Sequence, residues 1–173
     1  MIPIRPAEPD DIRAITRIYA HAVLHGTASF EIEPPDEPEM TRRLSELRAS
    51  RHPFLVAEVD GEVAGYAYAG PYRARPAYRF TVEDSIYIDP QMQRRGIGRA
   101  LLDRLLSEAE ARGFRQMIAV IGDAAQAPSI ELHRAAGFRM VGTFEAVGFK
   151  FGRWLDSVLM QKPLGKGASA LPY

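Results

Sequence analysis

The sequence predicts an α/β (α+β) fold in which helices cover both faces of a mixed β-sheet. Two observations indicate this class: helical segments fall between runs of strand segments, and 46% of the residues are apolar, enough for a substantial core. A length of 173 residues suits one domain. We expect this domain to span residues 1–164 and a flexible tail to follow at 165–173, because the tail is small and polar.

The first part of the chain predicts a strand, two helices and a hairpin. Ile12, Ile15 and Tyr19 recur at helical spacing, which predicts the first helix. Asp60-Gly61 is a favoured turn between two antiparallel strands. In chain order, the predicted elements are a strand at 2–5, helices at 9–23 and 39–49, and strands at 54–59 and 62–69.

The second part predicts a long strand, two helices and three further strands. Asp89-Pro90 ends the long strand because the residue before proline is restricted. Gly113 and Gly137 stand where helices commonly end. The predicted elements are strands at 80–88, 117–121, 140–144 and 155–160, and helices at 96–112 and 129–136.

The composition narrows the possible functions. Lys plus Arg and Asp plus Glu each total 22, so nothing suggests a general nucleic-acid binder. No cysteine is present, which excludes a cysteine nucleophile and thiolate metal sites. The four histidines have no tight metal-binding spacing, so we expect no metal. Without a signal-like start or a long apolar run, we expect no membrane association and a cytoplasmic location.

The most informative segment is residues 86–102, where a strand, a basic loop and an amphipathic helix follow one another. Gly96 and Gly98 allow a ligand to approach the backbone closely. The first N–H groups of the helix have no partner within it, and the helix dipole favours an anion there. Positive charge is added by Arg94, Arg95 and Arg99. These features predict a diphosphate site.

Two common diphosphate motifs do not fit. A dinucleotide-binding motif needs a third glycine, but Leu101 stands in that position, and the loop comes past the middle of the chain. A Walker loop needs Gly-Lys followed by Ser or Thr, which is absent. The alternative is that this segment binds no ligand. The glycines would then only begin the helix, and the basic residues beside them would be solvated.

The pattern Gln93-x-x-Gly96-x-Gly98 resembles the pyrophosphate loop of the GCN5-related N-acetyltransferase (GNAT) superfamily. Residues 81–88, 129–138 and 147–156 resemble its phosphinothricin and methionine sulfoximine acetyltransferase group. The resemblance implies the GNAT fold with a mostly antiparallel sheet, and acetyl-CoA as co-substrate. It implies acetyl transfer to the α-amino group of a small amino acid or analogue, such as phosphinothricin, methionine sulfoximine or methionine sulfone.

The resemblance also suggests two catalytic residues. Glu83 is the candidate general base, because partial burial would raise its pKa; strand alternation does not say which sheet face it occupies, and an exposed surface Glu is the alternative. His133 is the candidate general acid for the departing thiolate, because imidazole donates a proton near neutral pH. The alternatives for His133 are a helix-surface residue or one that caps a neighbouring element.

Further contacts to the cofactor follow from the same resemblance. A backbone N–H near residues 86–88 is expected to stabilise the oxyanion, and this strand is expected to pair with the pantetheine arm. Gln126 stands in place of a usual CoA-contacting Asn, and Ser129 either contacts the cofactor or caps a helix. The full predicted set is Ile86, Tyr87, Ile88, Gln93, Arg94, Arg95, Gly96, Ile97, Gly98, Arg99, Gln126 and Ser129.

For the acceptor, guanidinium groups before the catalytic strand suit a carboxylate or phosphinate; a solubilising basic loop is the alternative. Phe30 is either a wall over the acceptor or a core residue. The predicted acceptor contacts are Phe30, Arg73, Ala74, Arg75, Arg79 and Glu83. Residues Lys150, Phe151 and Trp154 are expected to build the last strand pair and a homodimer contact, although a lone Trp is more often core.

Two other functions stay open at this point. One is a protein or peptide N-terminal acetyltransferase, which needs an open groove for its acceptor. The other is a non-catalytic acyl-CoA-binding module, which would need the loop but neither Glu83 nor His133.

Overall fold

The computed structural model describes residues 2–172 and contains one seven-stranded sheet in the order β1-β2-β3-β4-β5-β7-β6. All neighbouring strands are antiparallel except β4 and β5, which are parallel. The predicted mixed, mostly antiparallel sheet is therefore confirmed. The strands are β1 (Ile4–Pro6), β2 (Phe54–Val59), β3 (Glu62–Pro71), β4 (Thr81–Ile88), β5 (Gln116–Gly122), β6 (Arg139–Lys150) and β7 (Arg153–Pro163).

Helices cover both faces of this sheet. On one face, Ile15 of the first helix and Leu44 of the second pack with Val56 and Tyr66. On the other face, Leu101 packs with a separate set of apolar side chains that includes Leu55 and Met117. The helices are α1 (Ile12–His25), α2 (Glu37–Ala49), α3 (Ile97–Ala111) and α4 (Ala127–Ala135).

Several predicted boundaries shift for local reasons. Residues Pro9–Asp11 form a 3-10 turn, so α1 begins at Ile12 rather than at residue 9. Helix α4 begins at Ala127, with Pro128 in its first turn, where a proline is tolerated. Ser129 therefore lies inside the first turn, and the prediction that it caps the helix is wrong.

The last two strands are longer than the sequence pattern indicated. Strand β6 continues to Lys150, and its pairing with β7 shifts register twice, between Met140 and Gly142 and between Phe144 and Gly148. Such irregularities interrupt the two-residue alternation by which strands are recognised in a sequence. A tight turn at Phe151-Gly152, both with positive φ, joins the two strands.

Strands β4 and β5 separate soon after they meet. Their pairing covers only Thr81–Glu83 opposite Gln116–Ile118, although β4 continues to Ile88. Beyond Glu83, β4 keeps its partner β3 on one side. The backbone groups on its other side face a gap in the sheet, and this gap positions the candidate site.

The C-terminal residues run along the outside of the sheet. Leu164 is buried, and its N–H donates to the carbonyl of Arg115. The Arg115 guanidinium donates to the carbonyl of Leu171, and Gly167–Ser169 form a 3-10 turn. The predicted domain limits and the flexibility of the tail stay predictions; Met1 and Tyr173, at their ends, lie outside the described residues.

Candidate active site

The gap between β4 and β5 opens into a cavity of about 800 Å³. Its walls come from both faces of the sheet: the end of α1, the start of α3, and α4 all contribute. A cavity of this size lies within the range of ligand-binding pockets. The gap therefore offers an extended ligand both space and unpaired strand backbone.

The loop between β4 and α3 is held firmly at its start. Asp89 is buried and accepts hydrogen bonds from the N–H of Gln91 (2.9 Å) and from Arg17 of α1 (2.6 Å). Because Arg17 reaches across from another element, the loop is fixed relative to α1 as well as to β4. This arrangement keeps the first turn of α3 aimed into the cavity.

The two glycines of this loop differ in what they contribute. Gly96 precedes α3 with φ of 78°, a left-handed conformation that favours glycine. Gly98 needs no such conformation; a Cβ added there would contact only Leu132, at 3.5 Å. Both positions leave the helix N-terminus accessible to an anion, so the residues present fit the diphosphate of acetyl-CoA.

Most of the predicted cofactor residues line this cavity. Arg95 does not, and it is exposed. The side chain of Ile97 is buried in the core, so what it presents to the cavity is its backbone. Arg99 is also held by Asp103 (2.8 Å). The lining members of the predicted set are Ile86, Tyr87, Ile88, Gln93, Arg94, Gly96, Ile97, Gly98, Arg99, Gln126 and Ser129.

Gln126 connects α4 to the loop after α1. Its side-chain amide donates to Thr27 Oγ1 (3.0 Å), and Thr27 in turn donates to Asp123 (3.2 Å). Asp123 also accepts a hydrogen bond from Arg153 of β7 (2.9 Å). The predicted cofactor residue thus belongs to a polar network that closes one end of the cavity.

Glu83 lies on the other side of the gap, on the face covered by α1 and α2. It lines a second cavity of about 420 Å³ together with Tyr19 and Tyr68. Burial raises the pKa of its carboxyl to about 7, the neighbouring Asp84 adds to the increase, and the charge of Arg73 opposes it. Ser85 lines both cavities, so Glu83 lies next to the place where they meet.

His133 of α4 is buried against the face of the sheet opposite to Glu83, where it meets Asp84. Its Nε2 lies 2.8 Å from Asp84 Oδ2, and its Nδ1 lies 2.7 Å from the carbonyl oxygen of Ser129. Burial lowers the pKa of the imidazole, but the hydrogen bond and charge of Asp84 outweigh it and raise the pKa above its usual value. The helix-surface alternative for His133 is therefore wrong.

The predicted acceptor arginines lie outside both cavities. Arg73, Ala74, Arg75 and Arg79 are exposed, and none of them lines either cavity. Arg73 nevertheless acts on Glu83 through its charge. Arg79 lies over the Phe80 ring, 4.6 Å from its centroid. The structure thus brings only one of these arginines into electrostatic contact with the candidate base.

Phe30 occupies a slot made by two glycines on different strands. A Cβ added to Gly122 would come within 2.7 Å of the Phe30 ring, and one added to Gly148 within 2.4 Å. Lys150 is 4% exposed, and its Nζ donates to the carbonyls of Gly26 (2.9 Å) and Ser29 (2.8 Å). Phe30 remains 38% exposed, so it is not a core residue, but it lines neither of the two cavities.

Sequence reasoning missed these glycines, and it took Lys150 for a strand and interface residue. Gly148 and Lys150 stand in the segment 147–156 that carried the resemblance, so that segment held the signal. It also missed Asp84, although alternation put Asp84 on the opposite face from Glu83. Only the fold shows that Asp84 meets His133.

Within residues 2–172, no group of three or more His, Asp or Glu side chains is arranged to hold a metal ion. In the same part of the chain, no helix combines the length and the apolar character needed to cross a bilayer.

The sequence profile of the Acetyltransferase (GNAT) family matches residues 15–138, which include the β4–α3 loop and both candidate catalytic residues. The chain belongs to this family. The glycine loop that carried the resemblance in the sequence lines the cavity at the gap between β4 and β5.

Individual GNAT proteins are similar over nearly the whole chain. The phosphinothricin N-acetyltransferase of Alcaligenes faecalis is 52% identical over 98% of this chain and 86% of its own length. An L-methionine sulfoximine/L-methionine sulfone acetyltransferase of Salmonella typhimurium is 41% identical, covering 96% of both chains. The crystal structure of a phosphinothricin acetyltransferase from Sinorhizobium meliloti in complex with acetyl-CoA superposes with a TM-score of 0.97, at 50% identity, covering 99% of this chain and 93% of that one.

Proposed function

We propose that this protein transfers the acetyl group of acetyl-CoA to the α-amino group of a small amino acid or analogue of the phosphinothricin and methionine sulfoximine type. The observation that carries the proposal is the gap between β4 and β5, which opens over the glycine loop and ends beside Glu83. The similarity to proteins that carry these substrates in their names, over 86% or more of their length, supports the same choice.

Glu83 acts as the general base in this proposal. An ammonium group must lose a proton before its nitrogen attacks the thioester, and a base works best when its pKa is near the operating pH. A carboxyl with a pKa of about 7 meets that condition. The proton leaves the amine for Glu83, directly or through water, and the free amine attacks the acetyl carbon.

The backbone of β4 supplies the oxyanion donor. Past Glu83, the strand edge toward β5 has N–H groups that no described strand pairs. A donor fixed in a strand needs no rearrangement as negative charge develops on the acetyl oxygen. We assign this contact to the stretch 86–88, and the pyrophosphate contacts to the loop 93–99.

The sequence resemblance makes His133 the candidate source of the proton for the departing thiolate. The hydrogen bond and charge of Asp84 outweigh the effect of burial and raise its pKa, which favours the protonated imidazole. Both of its ring nitrogens are already engaged, with Asp84 and with Ser129, so donation requires one of these hydrogen bonds to break.

Recognition of the acceptor is assigned to the loop before β4 and to Phe30. The charge of Arg73 reaches Glu83, so an acceptor carboxylate held by Arg73 would place its amino group near the base. Arg75 and Arg79 extend the same positive surface, and we assign Phe30, whose ring lies against Gly122 and Gly148, to the acceptor side of the site.

The test is an acceptor screen with acetyl-CoA that measures the released thiol. Phosphinothricin, methionine sulfoximine, methionine sulfone, the common amino acids and short peptides are compared, with Glu83→Gln as the control for enzyme-dependent turnover. Turnover of amino acids and not of peptides is expected. Turnover of peptides alone would favour an N-terminal acetyltransferase, and binding of acetyl-CoA without any turnover would favour a binding module.

A homodimer is part of the proposal. Strand β6 lies at the edge of the sheet, and the β6–β7 hairpin exposes a set of large apolar side chains. Trp154 is 65% exposed, so it is not a core residue. Covering such a surface with a second copy removes it from water and protects the edge strand. The exposed side chains are Met140, Val141, Phe144, Val147, Phe149, Phe151 and Trp154. We place the dimer in the cytoplasm, where acetyl-CoA is available.

A further inference from the structure

We propose that Asp84 is a positioning residue of this acetyltransferase, and that it forms with His133 a buried pair that stays intact during the reaction and fixes the charge beside Glu83. The inference deepens the proposed function and rests on it. It assigns Asp84, which no sequence argument singled out, and it changes what His133 does.

The geometry leaves His133 no free nitrogen. The side chains of His133 and Asp84 are 5% and 3% exposed, and Nε2 lies 2.8 Å from Oδ2. Nδ1 lies 2.7 Å from the carbonyl oxygen of Ser129, one turn earlier in α4. The ring of Phe138 packs edge-on against the imidazole, 5.0 Å between centroids. The ring is thus held on three sides.

The protons can be assigned from these contacts. A carbonyl oxygen only accepts, so Nδ1 of His133 carries a hydrogen. The second proton lies between Nε2 and Asp84 Oδ2, and the pair as a whole is neutral. If this proton passed to the thiolate, Asp84 would be left as a buried carboxylate without a compensating charge, which is strongly unfavourable. The pair therefore resists acting as an acid.

The position of Asp84 explains what the pair does instead. Asp84 and Glu83 are consecutive on β4 and face opposite sides of the sheet, and the charge of Asp84 contributes to the raised pKa of Glu83. His133 compensates the Asp84 charge from the far side. The pair also joins β4 to α4, the helix that begins directly after the cavity-lining residue Gln126 and contains the cavity-lining residue Ser129.

The other groups near Glu83 must be considered in any pH experiment. Arg73 in the preceding loop lowers the pKa of Glu83. The remaining charged or titratable groups lining the same cavity are Tyr19 of α1, Arg43 and Glu46 of α2, and Tyr66 and Tyr68 of β3. None of these contacts is altered by a substitution at Asp84 or His133, so both positions can be varied with this surrounding set unchanged.

Three variants separate positioning from acid catalysis: Asp84→Asn, His133→Gln and the double variant. Glutamine keeps a donor where Nε2 stood but carries no charge, and the double variant forms a neutral amide pair. The acid limb of kcat/KM against pH should move up by at least half a unit in His133→Gln and down in Asp84→Asn. The kcat of the double variant should be at least fivefold higher than the kcat of His133→Gln.

The proposal is overturned if the double variant is no more active than His133→Gln while Asp84→Asn keeps wild-type kcat, since His133 would then donate the proton itself. Glu131→Gln, an exposed change on the same helix, is the matched control and should leave the pH profile unchanged. If no acceptor is turned over, urea unfolding decides the pairing: the double variant should unfold at a higher midpoint than His133→Gln. The proposal would also be overturned if the change in the urea midpoint of the double variant equalled the sum of the changes in the two single variants.

Discussion

At the scale of single residues, the proposed role of Glu83 as a base depends on its surroundings, because burial raises the pKa of its carboxyl. Below a pH of about 7 its carboxyl is protonated and cannot accept the acceptor's proton, so kcat/KM should fall as the pH drops through that value. Glu83→Gln removes the base and should lower kcat by about 100-fold or more, with the acid limb lost. Steady-state rates between pH 5.5 and 9 test this. Acetyl-CoA affinity should be unchanged, and a variant with full activity would exclude Glu83 as the base.

Gly148 is a second residue whose identity follows from its neighbour. An added Cβ would come within 2.4 Å of the Phe30 ring, so Gly148→Ala should displace Phe30 from its slot. We expect the KM for the acceptor to rise about tenfold, while the affinity for acetyl-CoA changes little. Gly142→Ala is the matched control, because it lies on the same strand and a Cβ there meets nothing within 4 Å. If Gly148→Ala and Gly142→Ala changed the KM for the acceptor equally, the proposal that Gly148 makes room for Phe30 would be wrong.

At the scale of elements, the first turn of α3 makes a separable contribution. Gly96→Ala forces a left-handed residue to carry a Cβ, which costs roughly 1–2 kcal/mol. It also puts a methyl group beside the diphosphate site, so the Kd for acetyl-CoA should rise about tenfold by calorimetry. Gly113→Ala has a similar φ of 87° at the end of the same helix, with open space around it. It should lower stability to a similar extent and leave the Kd unchanged. If both variants bound acetyl-CoA more weakly, the loop would not be the diphosphate site.

At the scale of the whole molecule, the exposed hairpin face predicts the oligomeric state. Trp154→Asp places a charge in the centre of the apolar surface and should convert a dimer to a monomer in light scattering. Arg139→Asp, on the same strand pair but without apolar surface, serves as the control. A wild type that is monomeric at micromolar concentration would refute the dimer.

The domain limits lead to a further whole-molecule prediction. A chain that ends at Leu164 keeps the buried Leu164 and its hydrogen bond to the Arg115 carbonyl, and loses the turn after it and the hydrogen bond from the Arg115 guanidinium to Leu171. We expect the melting temperature to fall by less than about 5 °C, with activity retained. Loss of folding on this truncation would show that residues 165–173 belong to the domain.

The sequence was sufficient for the sheet class, the two helices of each half and the glycine loop, because each depends on local periodicity or on a backbone requirement. It was insufficient where two distant segments determine each other. Asp84 meets His133 only because α4 brings the two together, and the need for glycine at position 148 follows from the Phe30 ring, which lies far earlier in the chain. The length of β6 was hidden by its register shifts.

The parting of β4 from β5 also has a kinetic consequence. Ser85 lines both cavities, so we expect the thioester and the amine to approach it from different cavities without having to pass each other. With no cysteine in the chain, no thiol stores the acetyl group between two half-reactions. Initial-rate plots at several fixed acceptor concentrations should therefore intersect rather than run parallel, and each product should leave through the cavity its own precursor used.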